Sequence, residues 1–304
     1  MDKLAFITTI APGKSLMDLH LLLASIRDFG GELADAPIWV CIPQKPTDIP
    51  DQVRDYLTVL DVNFLSFQAD DRVQSYPFGA RVQAAYEVEK ALTGKTELLA
   101  WLDGDTIILQ EPTELLLPAG KVLGYRPVHH RLLGTRYGEE LDCFWELMYR
   151  KCGASFDPSR FMVTHTGQLI HPYFNAGSFV VRPEEALLEN WWLVFLDLYQ
   201  SSDFLPFYDR DKRYPVFMHQ MIFTGILLAA TEDHQRQEFS HRINYPLHLH
   251  QEVSEDLRAE SINNLVTVRY ESIFDESEWQ DQLPIHEPLL SWLHNQLELK
   301  KDIL

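Results

Sequence analysis

Apolar residues in the first hundred positions form short runs that alternate with longer amphipathic stretches. Leu4 to Ile10, Ile38 to Ile42, Val62 to Phe67 and Leu98 to Leu102 have the length and β-rich content of buried strands. Between the first two, Leu19, Leu22, Leu23, Ile26 and Phe29 recur at helical spacing. Ser15 with Asp18 predicts that helix's start as a capping-box variant, and Gly30-Gly31 predicts its end. Asp51 to Leu60 predicts a short helix. Pro77 stands before a clearer one carrying Phe78, Val82, Ala85, Val88 and Leu92. Strands alternating with helices predict an α/β fold with a largely parallel sheet and right-handed crossovers. Ligands of such sheets bind outside the carboxyl ends of the strands. The fourth strand runs straight into Asp103-Gly104-Asp105.

The second half is less regular. Val122 to Arg126 predicts a strand, Asp142 to Lys151 a helix, and Gly153 to Gly167 a polar loop. Phe174 to Val181 reads as a strand interrupted by Asn175-Ala176-Gly177. Pro183 opens a helix bearing Trp191 and Trp192. Met218 to Ala230 is a further helix, Val266 to Tyr270 a strand, and Pro288 to Leu299 a closing helix whose apolar face packs on its own domain by default. No internal repeat or linker divides the chain. A single domain over 1–304 is expected, with halves at 1–110 and 111–304.

Composition narrows the function. Hydrophobic residues make up 46% and charged residues 23%, which excludes extensive disorder. Lys and Arg total 26 against 45 Asp and Glu, a formal net charge of −19. Such a chain repels nucleic acid and anionic membrane. A phosphate-bearing ligand must then be met by a few placed cations, by backbone N–H groups, or by a metal on carboxylates. The three cysteines, Cys41, Cys143 and Cys152, form neither a disulfide framework nor a zinc pattern. A cytoplasmic location is expected, since no signal-peptide layout opens the chain and no apolar stretch reaches membrane-spanning length.

Asp103-Gly104-Asp105 admits two readings. Asp-Gly between apolar runs signals a type I′ hairpin, with Thr106 to Leu109 as the return strand. Alternatively, two carboxylates one residue apart share a hard divalent cation with a diphosphate. A calcium loop is excluded, because Ile107 and Ile108 stand where an oxygen ligand and a glycine are needed. Gly13-Lys14-Ser15 imitates a phosphate loop, but Thr8 replaces the first required glycine and Pro12 removes an N–H.

Tyr173-Phe174-Asn175-Ala176-Gly177-Ser178 reads by itself as a bulged strand, and His219-Gln220 as a buried polar pair on an apolar helix. In order along the chain, the Asp-x-Asp, the Phe-Asn-Ala-Gly, the Trp-bearing helix and the Gln resemble the GT-A glycosyltransferases. The likeness is to the retaining glycogenin-like and bacterial galactosyltransferase-like families, over about residues 4 to 250. It implies a nucleotide-sugar donor on 1–110 and a glycan, lipid or small-molecule acceptor on 111–304. It implies Mn²⁺ or Mg²⁺ held by Asp103 and Asp105, with Asp103 and Arg81 contacting the donor. Thr8 and Thr9 would lie beside the nucleotide, Asn175 by the transferred sugar or acceptor, and Gln220 near the anomeric carbon. The family has Asp where His219 stands and a metal-binding His near the end of the fold. His250 is the favoured candidate for that ligand over His248. Arg269 stands at about the family position and would instead supply positive charge directly. Two alternatives are a sugar-1-phosphate nucleotidyltransferase and a non-catalytic binding protein of the same fold.

Overall fold

The computed structural model describes residues 1–10, 19–45, 47, 51–76, 78–276 and 278–302. The helix start at Ser15 and Asp18, the Gly13-Lys14-Ser15 loop and Pro77 lie outside the described residues. The first half alternates as its hydrophobic pattern predicts: β1 (Ala5–Thr9), α1 (His20–Phe29), β2 (Ile38–Ile42), α2 (Asp51–Val59), β3 (Asn63–Ser66), α3 (Gly79–Leu92) and β4 (Leu99–Leu102). There follow β5 (Thr106–Ile108), β6 (Leu123–Pro127), α4 (Cys143–Cys152), β7 (Met162–Val163), β8 (Leu169–Ile170) and β9 (Phe174–Val181). The chain then forms α5 (Leu187–Leu198), α6 (Leu205–Arg210), α7 (Arg213–Ala230), β10 (Arg236–Glu238), β11 (Tyr245–Pro246), β12 (Thr267–Arg269), α8 (Trp279–Gln282) and α9 (Leu289–Asp302).

A seven-stranded sheet in the order β10-β6-β9-β4-β1-β2-β3 forms the centre. Every neighbouring pair is parallel except those made by β9, which runs against both β4 and β6. Alternation along the strands splits the core into two layers. Ala5, Ile7, Leu99 and Trp101 face α3, α5 and α7, while Phe6, Ala100 and Leu102 face α1. A smaller sheet, β11-β12-β5, carries a third cluster with Leu289 and Leu293 of α9. That helix packs on α1 of its own chain, with Trp292 Nε1 donating to Asp28 Oδ2 at 2.7 Å.

Several boundaries differ from the sequence pattern for local reasons. Pro183 opens a short 3₁₀ turn, and α5 begins only at Leu187. The polar stretch before Gly167 contributes β7 to a small hairpin with β8. Helix α7 begins five residues earlier than its apolar run, because Arg213 to Phe217 are polar or half-exposed. The edge strand β10 has the polar sequence Arg-Gln-Glu, which carries no alternation to read.

Helix α5 enters through Ala186 in the left-handed region, whose side chain supplies no cap. Glu89 of α3, only 2% exposed, does so instead, accepting from Leu188 N at 3.1 Å and Glu189 N at 2.7 Å. Burial pushes its carboxyl up to about 7, against the pull of those N–H bonds. The folded chain therefore holds a proton that the unfolded chain releases from about pH 4.5 upward. The corresponding stability is full below that pH and is lost as pH rises through about 7. Glu89→Gln keeps the acceptor and cannot ionise. Its melting temperature, relative to the parent's, is expected to rise between about pH 5 and pH 8. A difference independent of pH would show that Glu89 is charged throughout.

Candidate active site at the strand-end carboxylates

Topology assembles the site. Because β9 runs against β4 with Leu102 opposite Ser178, the amino end of β9 lies beside the carboxyl end of β4. Asp103 N donates to Gly177 O at 2.9 Å. Thr106 N donates to Asp103 O at 3.0 Å, so Asp103-Gly104-Asp105 is indeed a turn. It is not a type I′ hairpin. Neither Gly104 nor Asp105 is among the described residues of positive φ, and β5 pairs with β12 rather than with β4. The turn hands the chain from one sheet to the other. Arg269 pairs in register with Thr106, and Tyr270 N donates to Asp105 O at 3.0 Å.

The side chains form one charged cluster. Arg269 Nε lies 2.8 Å from Asp105 Oδ1 and its Nη2 donates to Asp105 Oδ2 at 2.8 Å, while Nη1 lies 2.9 Å from Asp103 Oδ2. Arg81 Nη2, from the first turn of α3, donates to Asp103 Oδ1 and to Ala176 O. Trp101, on the same strand face as Asp103, donates Nε1 to Oδ1 at 3.1 Å. The Arg81 guanidinium lies between the rings of Phe78 and Trp101. Burial lowers its pKa, and Asp103 only partly compensates. For Arg269 burial also pulls down, but Asp105 and Asp103 outweigh it and the pKa rises. Gly177 is required here. A Cβ at that position would stand 2.1 Å from Arg269 Nη1 and 2.7 Å from Asp103 Oδ2.

The β9 residues close the cluster's other side. Asn175, 7% exposed, accepts from Gly177 N at 2.7 Å, and Gln220 of α7 accepts from Ala176 N at 3.0 Å. Arg81, Asp103, Asp105, Asn175, Gln220 and Arg269 are thus joined by hydrogen bonds and ion pairs through one short stretch of backbone. His219 faces elsewhere. It is buried, its Nδ1 meets Tyr76 Oη at 3.0 Å and Val216 O at 3.1 Å, and its ring stacks on Phe78. Burial, then Arg81, holds it neutral, well below the ordinary imidazole range. Thr9 Oγ1 donates to Cys41 O at 2.9 Å, and Thr8 Oγ1 is buried without a hydrogen-bond partner among the described residues.

His129 and Glu271, which sequence reasoning missed, stand beside His248, which it had named. His129 is buried within 5.9 Å of the His248 ring, and His248 Nε2 lies 3.4 Å from Glu271 Oε1. Burial, then Arg269, lowers His248 to about 4. The only available signal was that His129 and His130 follow the carboxyl end of a strand. A cavity of about 670 Å³ opens at the opposite, amino end of β6. Its Arg160 and Arg236 are both paired with Asp233, so it does not compete with the strand-end cluster.

The profile of the Rhodobacterales glycosyltransferase domain matches residues 7–208, two thirds of the chain. The chain belongs to that family. Solved structures place this glycosyltransferase in the GT-A fold. The galactosyltransferase LgtC, in complex with donor and acceptor sugar analogues, is similar at TM-score 0.54 and 14% identity, over 98% of this chain and 95% of that one. LgtC carrying an active-site Gln-to-Glu change gives 0.51 and 12%, over 88% and 86%. Mouse xyloside xylosyltransferase 1 gives 0.47 and 11%, over 88% and 97%. No curated protein matches the chain.

The Mn²⁺ or Mg²⁺ implied by the resemblance does not fit the residues as this glycosyltransferase arranges them. A hard cation needs free carboxylate oxygens and further ligands. Asp103 Oδ1 already accepts from Arg81 and Trp101, and its Oδ2 and both oxygens of Asp105 face Arg269. His250 does not reach them. It lies in a 3₁₀ turn after Pro246, and its Nδ1 meets Tyr245 Oη at 2.8 Å. That turn also breaks the strand spacing expected to put His248 and His250 on one face. No three His, Cys, Asp or Glu among the described residues are placed to hold a metal ion.

An ion cluster this tight is expected to show energetic coupling. Arg269→Met and Asp105→Asn should each destabilise the chain, and the double variant by less than their sum, with a coupling of about 1–3 kcal/mol. Chemical denaturation of the four proteins measures it. Additive effects would mean that the pair contributes no mutual stabilisation.

Proposed function

We propose that this glycosyltransferase moves a hexose from a nucleotide-sugar donor to an acceptor hydroxyl with retention of configuration. One observation carries the proposal: at the carboxyl end of β4, Arg81 and Arg269 pair with the Asp103–Asp105 turn, while Asn175 and Gln220 hold the adjoining backbone of β9. That is where an open α/β sheet binds its ligand. The donor lies across 1–110, with Thr8 and Thr9 on the nucleotide side, and the acceptor meets 111–304. The acceptor is a glycan, a lipid or a small molecule. Three free cysteines support a cytoplasmic location, and no helix among the described residues is long and apolar enough to cross a membrane. That LgtC, similar in fold, forms a complex with donor and acceptor sugar analogues supports a donor and an acceptor as the two ligands. The divalent cation of the resemblance is left out of the proposal, because the carboxylate oxygens are already engaged by guanidinium groups.

In the reaction, the bond from C1 to the β-phosphate oxygen breaks and its electron pair stays on the phosphate. The acceptor oxygen bonds C1 from the same face, and its proton passes to the departing phosphate. The residues' contribution is positioning and charge stabilisation. Gln220, fixed through Ala176 N, stands beside the sugar rather than exchanging protons.

Release of nucleoside diphosphate from a panel of nucleoside diphosphate hexoses tests the proposal. Release above that of Asp105→Asn is expected. A sugar-1-phosphate nucleotidyltransferase would instead release pyrophosphate from a nucleoside triphosphate, and a non-catalytic protein would bind without turnover. Gln220→Ala is expected to lower kcat and kcat/KM together by about 10²-fold. A destabilised variant with full turnover per folded molecule would remove Gln220 from the site.

A further inference from the structure

The nucleotide-sugar reading underlies this inference, which concerns what meets the donor's diphosphate. Asp103 and Asp105 bring two negative charges, and Arg81 and Arg269 return two positive ones within ion-pair distance. A divalent cation on the same carboxylates would deliver the same charge. We propose that the Arg81–Arg269 pair does the work of that cation, so that the enzyme binds nucleoside diphosphates and turns over its donor without a divalent metal.

The placement of Arg269 carries the argument. Its guanidinium spans both carboxylates: Nη2 donates to Asp105 Oδ2, and Nε and Nη1 stand at ion-pair distance from Asp105 Oδ1 and Asp103 Oδ2. A guanidinium has five N–H donors; here Nη2 donates to Asp105 Oδ2, whereas Nε, though 2.8 Å from Asp105 Oδ1, is buried without a hydrogen-bond partner among the described residues. Arg81 is not satisfied by the chain alone. Its Nε is buried without a hydrogen-bond partner among the described residues. The space that Arg269 fills exists because residue 177 has no side chain. Its strand is also fixed, by the register with Thr106 and by the bond from Tyr270 N to Asp105 O.

The carboxylates then act as positioning residues. They hold two planar forks at the strand end, where a cation site would need their oxygens free. A guanidinium stays charged at any working pH and matches two phosphate oxygens at once. As the C1–O bond breaks, the charge left on the phosphate develops beside cations that are already in place.

Calorimetric titration of the full chain with uridine, guanosine and adenosine diphosphates tests this, in EDTA and in Mn²⁺. At least one diphosphate is expected to bind with the same affinity in both, within about threefold, well inside what one charged hydrogen bond contributes. Donor turnover in EDTA is expected to match turnover in Mn²⁺. Arg269→His places an imidazole at this strand position. It is expected to weaken binding in EDTA by about 10- to 100-fold. Binding by the parent that needs Mn²⁺ would overturn the proposal and leave the nucleotide-sugar reading standing. Failure of every diphosphate to bind in either condition would remove that reading and this inference with it. The parent comparison needs no variant, so a poorly folding Arg269→His does not shelter the idea.

Discussion

Two carboxylates one residue apart at the end of a buried strand repel each other and must be neutralised where water is scarce. Like charges interact more strongly the lower the local dielectric. The surrounding architecture meets this constraint from two directions. Arg81 arrives on the first turn of α3, held between Phe78 and Trp101. Arg269 arrives on a strand of the second sheet, in register with the residue after Asp105. Glu89, at the far end of α3, ties that helix to α5. The backbone at Gly177 stays bare so that charge and countercharge can meet.

The same arrangement accounts for the uneven legibility of the sequence. Up to Leu102 each element buries one face against a neighbour, so the alternation of Leu19, Leu22 and Ile26 with strands such as Ile38 to Ile42 was sufficient. Beyond it, helices such as α5 and α7 still bury apolar faces, but some elements are held by polar contacts that leave no periodicity. The edge strand at Arg236 is bonded to Thr231 and Asp233, and the first turn of α7 is partly exposed. Within the site, Asp103, Asp105, Asn175 and Gln220 were legible as an ordered set of motifs. Their mutual approach was not, because it depends on β9 running backwards. His250 shows the limit of residue type as a guide. A plausible ligand by chemistry, it is committed to Tyr245, whereas Arg269 owes its place to a register that spacing could not reveal.

Rigidity is distributed accordingly. Asn175 and Gln220 each accept from a backbone N–H of β9, the first from within the strand and the second from α7. The strand itself is buried throughout. Groups aimed at a developing charge are most effective when they need not reorganise, and here their supports are backbone atoms and packed rings. His219 belongs to those supports. Its ring, on the same helix that presents Gln220, is clamped by Tyr76, Phe78 and the Val216 carbonyl.

The handover from β4 to β5 has a consequence in time. The partner of Asp105 is 164 residues further along the chain. At the usual pace of protein synthesis, about 5–20 residues per second, Arg269 is joined to the chain about 8 to 33 seconds after Asp105. Until then the nascent amino-terminal half can neutralise Asp103 through Arg81, but Asp105 has no countercharge. The carboxyl end of β4 therefore waits for a strand made much later, and the docking of α9 on α1, which spans 264 residues from Asp28 to Trp292, waits longer.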